Sequence, residues 1–396
     1  MDPSATPDVL VTGIGAVSCL GGTADAFWAG LQAAAGRPTA VPGLTERVPD
    51  ALAYQVPDGA PAADSAHGAP GRATRFALSA AREAVADAGL EPHEITGAAV
   101  VIGTAGGEGG GREGDHTGGS EGTGAGAWEP VFSVAATVGA ELGTFGPNIS
   151  VSNACAASGY ALSVAVDLIR RGEADTVLLG GAEGIARVPL ASFSRLGAAD
   201  PETCRPFDAE RRGTVFGEGA AVLVLQSAEA AAGRPAYGRL LGSAWSCDAH
   251  HPTAPDPGGE QPVRVARAAL AEAGRTPGDL GCVIPHGTGT PQNDVIESRV
   301  LREVLGDRAP ATPLFSLKAF IGHTAGAAAA FAAVTAALIA RHGEIPANIP
   351  LASPDPECPV LLPQDGPTPL EHPNVLVNAY AFGGSNFSLV FGGEAR

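Results

Sequence analysis

Two rhythms alternate along the chain. Short apolar, β-branched runs ending at glycine are followed by longer segments whose apolar residues recur every three or four positions. The first rhythm predicts buried strands, the second amphipathic helices. Residues 8–17 (DVLVTGIGAV) predict a strand whose glycines turn tightly into a helix over 25–34 (DAFWAGLQAA). A helix over 72–90 stops at Gly89, and 98–107 holds a short buried strand. Residues 148–174 (NISVSNACAASGYALSVAVDLIRRGEA) predict a strand, a tight turn and a long helix, followed by strands at 175–183 and 219–226. The order then restarts, with a strand over 236–247, a helix over 262–274, and a strand at 280–290 that enters a Gly/Thr loop. Helices over 294–306 and 325–340 and a strand pair over 374–391 complete it. Strands alternating with helices predict an α/β layered fold with mostly parallel sheet. The repeated order predicts an internal duplication, one half over 1–230 and the other over 231–396.

Composition narrows the function class. With 396 residues, 45% hydrophobic and 17% charged, the chain can bury a large core. Its net charge of −18 excludes a nucleic-acid surface, which needs a basic footprint. The six cysteines show no paired spacing, so they read as reduced thiols rather than a disulfide frame or a zinc site. The N-terminus shows no secretory leader. The apolar run 325–340 is too short to span a bilayer and carries Gly326 and Thr335, so it reads as a buried helix. The expectation is a cytoplasmic protein with no membrane contact. Residues 103–126 are too rich in glycine to build core and predict a mobile loop. A P-loop is excluded because GxxxxGK needs a lysine, and the only lysine, Lys318, stands in another setting. The opening VTGIGAV lacks the third glycine of a dinucleotide fingerprint.

Three residues carry candidate chemistry. Cys155, in VSNACAASGYAL, sits at a strand-to-helix elbow among small residues that let a substrate approach closely. A thiol at a helix N-terminus faces free N–H groups that favour thiolate, the reactive form. His286 (PHGTGT) and His323 (KAFIGH) both lie in loops at strand ends of the second half, where α/β sheets gather ligands.

With these residues and their flanks in place, the sequence resembles a β-ketoacyl synthase, a decarboxylating condensing enzyme of the thiolase superfamily. The resemblance covers about 8–393 and rests on VTGIGAV, PNISVSNACAASGYAL, RPFDAERRGTVFGEGAAVLVL, PHGTGTPQND, SLKAFIGHTAGAAAA and NAYAFGGSN, in that order. It implies a thiolase-like five-layered αβαβα fold built from two similar halves, and a dimer. It implies that Cys155 takes an acyl group as nucleophile, while His286 and His323 bind a malonyl thioester and stabilise the enolate left by CO₂ loss. It further implies an oxyanion hole from the N–H groups of Cys155 and Phe382, and substrate contacts at Thr253, Thr288, Thr290, Gly383 and Gly384. Lys318 is implied to pair with Glu297 and to orient His323. No cofactor is implied, since substrates arrive on the phosphopantetheine of an acyl carrier protein, and the partner subunit is either a second copy or a ketosynthase-like homologue.

The resemblance also separates relatives. Thiolases carry a second cysteine in the closing loop, starter-unit synthases an asparagine at the His323 position, and chain-length factors no nucleophilic cysteine. Cys-His-His points to an elongating enzyme of fatty acid or polyketide synthesis. A half-active partner subunit, and a thioester hydrolase or acyltransferase, remain open alternatives. Three departures stand out: Ala381 where glycine is usual before Phe382, Ala319 in place of a hydroxylated residue, and Ala329 in place of glycine. Ala381 predicts a stiffer acyl gate, and the other two bear on acyl-chain selectivity. Arg72, Arg75 and Arg205 are candidates for docking an acidic carrier protein, and His250 and His251 read as loop histidines.

Overall fold

The computed structural model describes residues 8–41, 48, 51–57, 59, 70–109 and 130–393. Most of the glycine-rich segment, from residue 110 onward, lies outside them.

Nine strands form one continuous sheet. They are β1 (Val9–Val17), β2 (Ala99–Gly103), β3 (Asn148–Val151), β4 (Thr176–Glu183), β5 (Gly219–Ser227), β6 (Gly238–Cys247), β7 (Leu280–Ile284), β8 (Asn374–Ala381) and β9 (Ser385–Gly393). The strand order is β7-β8-β9-β6-β1-β5-β4-β2-β3. Its two parts join only at the start of β1, where Leu10 and Val11 pair with Arg239 and Gly238 of β6. Numbered in chain order within each part, the strands of 9–227 run 3-2-4-5-1. Those of 238–393 run the same way once the bridge of Leu314 to Val283 stands for the third strand. The duplication expected from the sequence is present in the topology.

The sheet is mixed rather than mostly parallel. Only β2 with β3, β2 with β4, and β7 with β8 pair in parallel. β5 runs antiparallel to both β1 and β4, and β9 to both β8 and β6. The reason is connectivity: β8 and β9 form a hairpin, and β4 reaches β5 through the long segment 184–218 instead of a single crossover helix.

Layering follows from which helix faces are apolar. The helices are α1 (Ala24–Gln32), α2 (Arg72–Asp87), α3 (Ser133–Leu142), α4 (Ala157–Arg170), α5 (Arg187–Arg195), α6 (Glu260–Glu272), α7 (Pro291–Leu305), the single turn α8 (Lys318–Ile321) and α9 (Ala328–His342). α4 and α9 lie between the two sheet parts, α2 and α3 cover the outer face of the first, and α6 with α7 covers the second. Small residues set the central spacing: a Cβ on Gly159 of α4 would lie 2.5 Å from the Phe387 ring, and one on Gly181 of β4 would lie 2.6 Å from the Ala327 Cα. The helical run Ala325–His342 is apolar and long enough to cross a membrane by composition, but it is packed in this central layer.

The glycines of VTGIGAV are not a turn. β1 runs through both of them, and the chain reverses at Ser18–Gly21. Their role is to let α2 approach: a Cβ on Gly15 would sit 2.0 Å from the Ala80 carbonyl oxygen. Gly15→Val should therefore destabilise the protein by about 3 kcal/mol or more, as backbone must move to make room. Denaturant unfolding measures this, and a midpoint unchanged from wild type would contradict it.

Candidate active site

The elbow after β3 places Cys155. Ala154 takes a left-handed conformation (φ 46), which costs an alanine about 1–2 kcal/mol and swings the next residue outward. The turn is tied by Ala156 N–H to the Asn153 carbonyl (3.2 Å) and by Ser385 Oγ to Asn153 Oδ1 (3.1 Å), which fastens the elbow to the β8–β9 loop. α4 begins two residues later, so Cys155 stands at its head, 8% exposed. The helix N-terminus does not make this thiol acidic, contrary to expectation. Burial pushes it up to about 11, with the nearby Lys318 ammonium and hydrogen bonds from the N–H groups of Phe382 and Cys155 acting against the rise.

His286 follows β7, and His323 follows α8. The backbone of His323 is gripped by the first half, donating to the Val215 carbonyl (2.8 Å) and accepting from Gly217 N–H (3.0 Å). The two rings meet edge to face with centroids 5.5 Å apart. Both are buried, and burial, reinforced by the Lys318 charge, holds both well below the usual imidazole value, so both are neutral.

Lys318 and Glu297 do not form the ion pair expected of them. Both carboxylate oxygens of Glu297 are taken, by the backbone N–H of His286 (2.7 Å) and of Gly287 (2.7 Å). Lys318 Nζ instead donates to the His286 carbonyl oxygen and lies 3.4 Å from His286 Nδ1. The lysine thus serves His286, not His323. An ammonium has only donors, so Nδ1 is the acceptor and the His286 proton sits on Nε2, on the far side of the ring.

The loop after β8 turns on Gly383 (φ 88) and Gly384 (φ 79), and a Cβ on Gly384 would lie 2.8 Å from the Asp248 Cβ. The Phe382 ring stacks on Phe193 of α5 at 4.9 Å. A cavity of about 410 Å³ opens here, and its wall brings together Cys155, His286, His323, Phe382, Thr253, Thr288 and Thr290. That size suits a small-molecule arm. Gly383 and Gly384, expected to contact substrate, are outside the lining and act through the backbone turn. Thr288 and Thr290 hydroxyls share a hydrogen bond of 2.9 Å, and His251 holds its own loop by accepting from the N–H groups of Thr253 and Ala254.

The departures fall elsewhere than expected. Ala319 lines a separate cavity of about 470 Å³ beside Arg37 and Ser316, and Ala329 is buried inside α9; neither lines the cavity of Cys155. Ala381 does line it, in ordinary strand pairing with Ser385. Of the docking candidates, Arg72 is bound to Glu218 and Arg205 to Asp200 and Glu202. The sequence reading missed Asp294, fully buried, which accepts from the N–H groups of Thr288 and Gly289 (3.2 Å each) and so shapes the HGTGT loop. Its signal was the last residue of PHGTGTPQND. It also missed Phe193 and Tyr380, both in the cavity wall.

Glu183, at the end of β4, adds a negative charge that raises the Cys155 thiol. Burial lifts its own carboxyl from 4.5 to about 7, although Thr104 Oγ1 (2.6 Å) and the Gly106 N–H (3.3 Å) donate to it. A raised carboxyl keeps its proton in the folded state where the unfolded chain loses it. Its stabilising contribution is complete below about 4.5 and is lost as pH rises through about 7. Glu183→Gln should flatten the fall of Tm between about pH 5 and 8; an unchanged slope would contradict this.

Comparison with known proteins agrees with this geometry. Models of the β-ketoacyl synthase N-terminal and C-terminal domains match residues 6–231 and 237–352. The chain belongs to the β-ketoacyl synthase family. It is 35% identical over 337 residues to 3-oxoacyl-[acyl-carrier-protein] synthase 2 of Staphylococcus aureus, covering 81% of this chain and 83% of that protein. Among solved structures it resembles the ishigamide ketosynthase/chain length factor, with TM-score 0.88, 34% identity and coverage of 99% and 100% of the two chains. It also resembles a type II polyketide synthase acyl-carrier protein complex with its ketosynthase bound to a hexaketide, with TM-score 0.85, 26% identity and coverage of 98% and 100%. Like those ketosynthases, it has the thiolase-like fold. Family membership makes it an acyltransferase-class enzyme of fatty acid or polyketide synthesis.

Proposed function

We propose that this β-ketoacyl synthase is catalytically competent and extends an acyl chain, held on Cys155, with a malonyl unit delivered by an acyl carrier protein. The convergence of Cys155, His286 and His323 on one cavity carries the reading. The Cys155 sulfur attacks the acyl thioester, and its proton passes through a neutral imidazole to the departing carrier thiol. Malonyl thioester then binds with its carbonyl oxygen toward the histidine N–H groups. The carbon–carboxylate bond breaks, CO₂ leaves, and its electron pair remains as an enolate that those donors stabilise. The enolate carbon attacks the acyl-cysteine carbonyl, the oxyanion rests on the N–H groups of Cys155 and Phe382, and the carbon–sulfur bond breaks to free the product. Written this way, the reaction uses no cofactor.

The same reading assigns residues 1–230 to the cysteine half and 231–396 to the histidine half. It places the enzyme in the cytoplasm, bound to an acyl carrier protein and to a second ketosynthase-like subunit. Such a subunit has a place to bind: among the described residues β3 is paired on one side only, and Phe145 (85% exposed) and Phe132 stand near it in sequence. A non-catalytic partner role fits less well, because the nucleophile and both histidines are present in one cavity. The test is incubation with acyl-carrier and malonyl-carrier thioesters and mass analysis of the products. Chain growth by one malonyl-derived unit supports the reading; free acid alone would replace it with hydrolysis.

A further inference from the structure

Among the described residues lining the catalytic cavity, two buried polar side-chain atoms have no hydrogen-bond partner: His323 Nδ1 and Tyr380 Oη. Tyr380 is the penultimate residue of β8, 8% exposed, with its ring centroid 5.6 Å from that of His286. A buried hydroxyl without a partner costs about 1–3 kcal/mol, and phenylalanine would fill the same space without that cost. The carboxylates whose charges reach it are engaged elsewhere. Asp248 accepts from Asn386 Nδ2 (2.6 Å) and Asp256 N–H (3.2 Å), and Glu297 from His286 and Gly287. Burial beside these carboxylates keeps the phenol protonated, its titration pushed well above the usual value of 10, so Tyr380 offers a donor at any working pH.

We infer that Tyr380 Oη–H is a third hydrogen-bond donor to the thioester oxygen of the extender unit, acting beside His286 and His323. This rests on the condensing reading above, since that oxygen is the one on which enolate charge develops. A donor left unpaired in the empty cavity is satisfied when the substrate oxygen arrives, and the bond strengthens as CO₂ leaves. The phenol therefore contributes to decarboxylation and not to acyl transfer onto Cys155.

Tyr380→Phe removes one oxygen atom and tests this in three measurements. CO₂ release from malonyl-carrier thioester should fall by about 10- to 100-fold, chiefly in kcat. Formation of the Cys155 acyl adduct should stay within about twofold of wild type. The Tm of the ligand-free protein should be equal or higher, because an unpaired buried hydroxyl has gone. Wild-type CO₂ release by the variant overturns the inference. So does a parallel loss of acylation, CO₂ release and Tm, which would mark a structural role. Absence of CO₂ release from the unaltered enzyme would instead overturn the condensing reading itself, and the inference with it.

Discussion

Cys155→Ala will carry no acyl adduct after incubation with an acyl-carrier thioester, and chain extension will fall by at least about 1000-fold. The size of the loss follows from the site. Among the described residues Cys155 is the one cysteine in the wall of the cavity that holds both histidines, and the Lys318 charge favours its thiolate. Alanine removes the sulfur without disturbing the elbow, which is set by Ala154 and the Asn153–Ser385 contact. The histidine pair is untouched, so malonyl-carrier thioester should still lose CO₂ on the variant. Intact mass and peptide mapping read the adduct, and CO₂ capture reads the decarboxylation. Mapping matters because Cys247 is an exposed thiol whose Sγ lies 3.4 Å from the Gly383 carbonyl oxygen. An adduct that persists at full extent on Cys155→Ala, wherever it maps, would move the nucleophile elsewhere.

Much of this architecture could be read from apolar spacing, because both sheet parts and both central helices are buried on nearly every side. The runs at 148–183, 219–226 and 374–391 became strands and a central helix where expected, and the repeated order became a repeated strand order. Elements whose reason lies in distant contacts could not be read this way. α5 buries only Leu190, yet it supplies Phe193 against Phe382. Gly13 and Gly15 looked like a turn because nothing local reveals the α2 backbone lying against them. At the site, residue identities were visible but their partners were not. Glu297 looked like a counter-ion until its oxygens proved to be occupied by two main-chain N–H groups. Cys155 looked acidic from its place at a helix head, but burial outweighs that placement. Ala319 looked relevant to acyl selectivity because it stands where the family usually has a hydroxylated residue, whereas it faces another cavity.

Lys318→Arg, which keeps the positive charge, should nonetheless reduce CO₂ release by about 100-fold. The lysine is 7% exposed, its Nζ donates to the His286 carbonyl, and it lies 3.4 Å from Nδ1. Those contacts fix the His286 tautomer that presents Nε2–H to a developing enolate oxygen. A guanidinium is longer, planar and richer in donors, and each donor needs an acceptor when buried. The space is absent: the void beside Lys318, lined by Ile284 and Asn378 among others, measures only about 10 Å³. Arginine must therefore push His286 aside or leave donors unpaired, and either change strikes the decarboxylation step. Cys155 feels Lys318 through charge, which arginine preserves, so self-acylation should stay within about fivefold of wild type. The two rates separate the explanations. Equal losses in both would mean a general collapse of the site. Unchanged CO₂ release would mean that the compact ammonium is dispensable. A selective loss places the lysine in control of the His286 tautomer, and Lys318→Met, with neither charge nor donor, should then lose acylation as well.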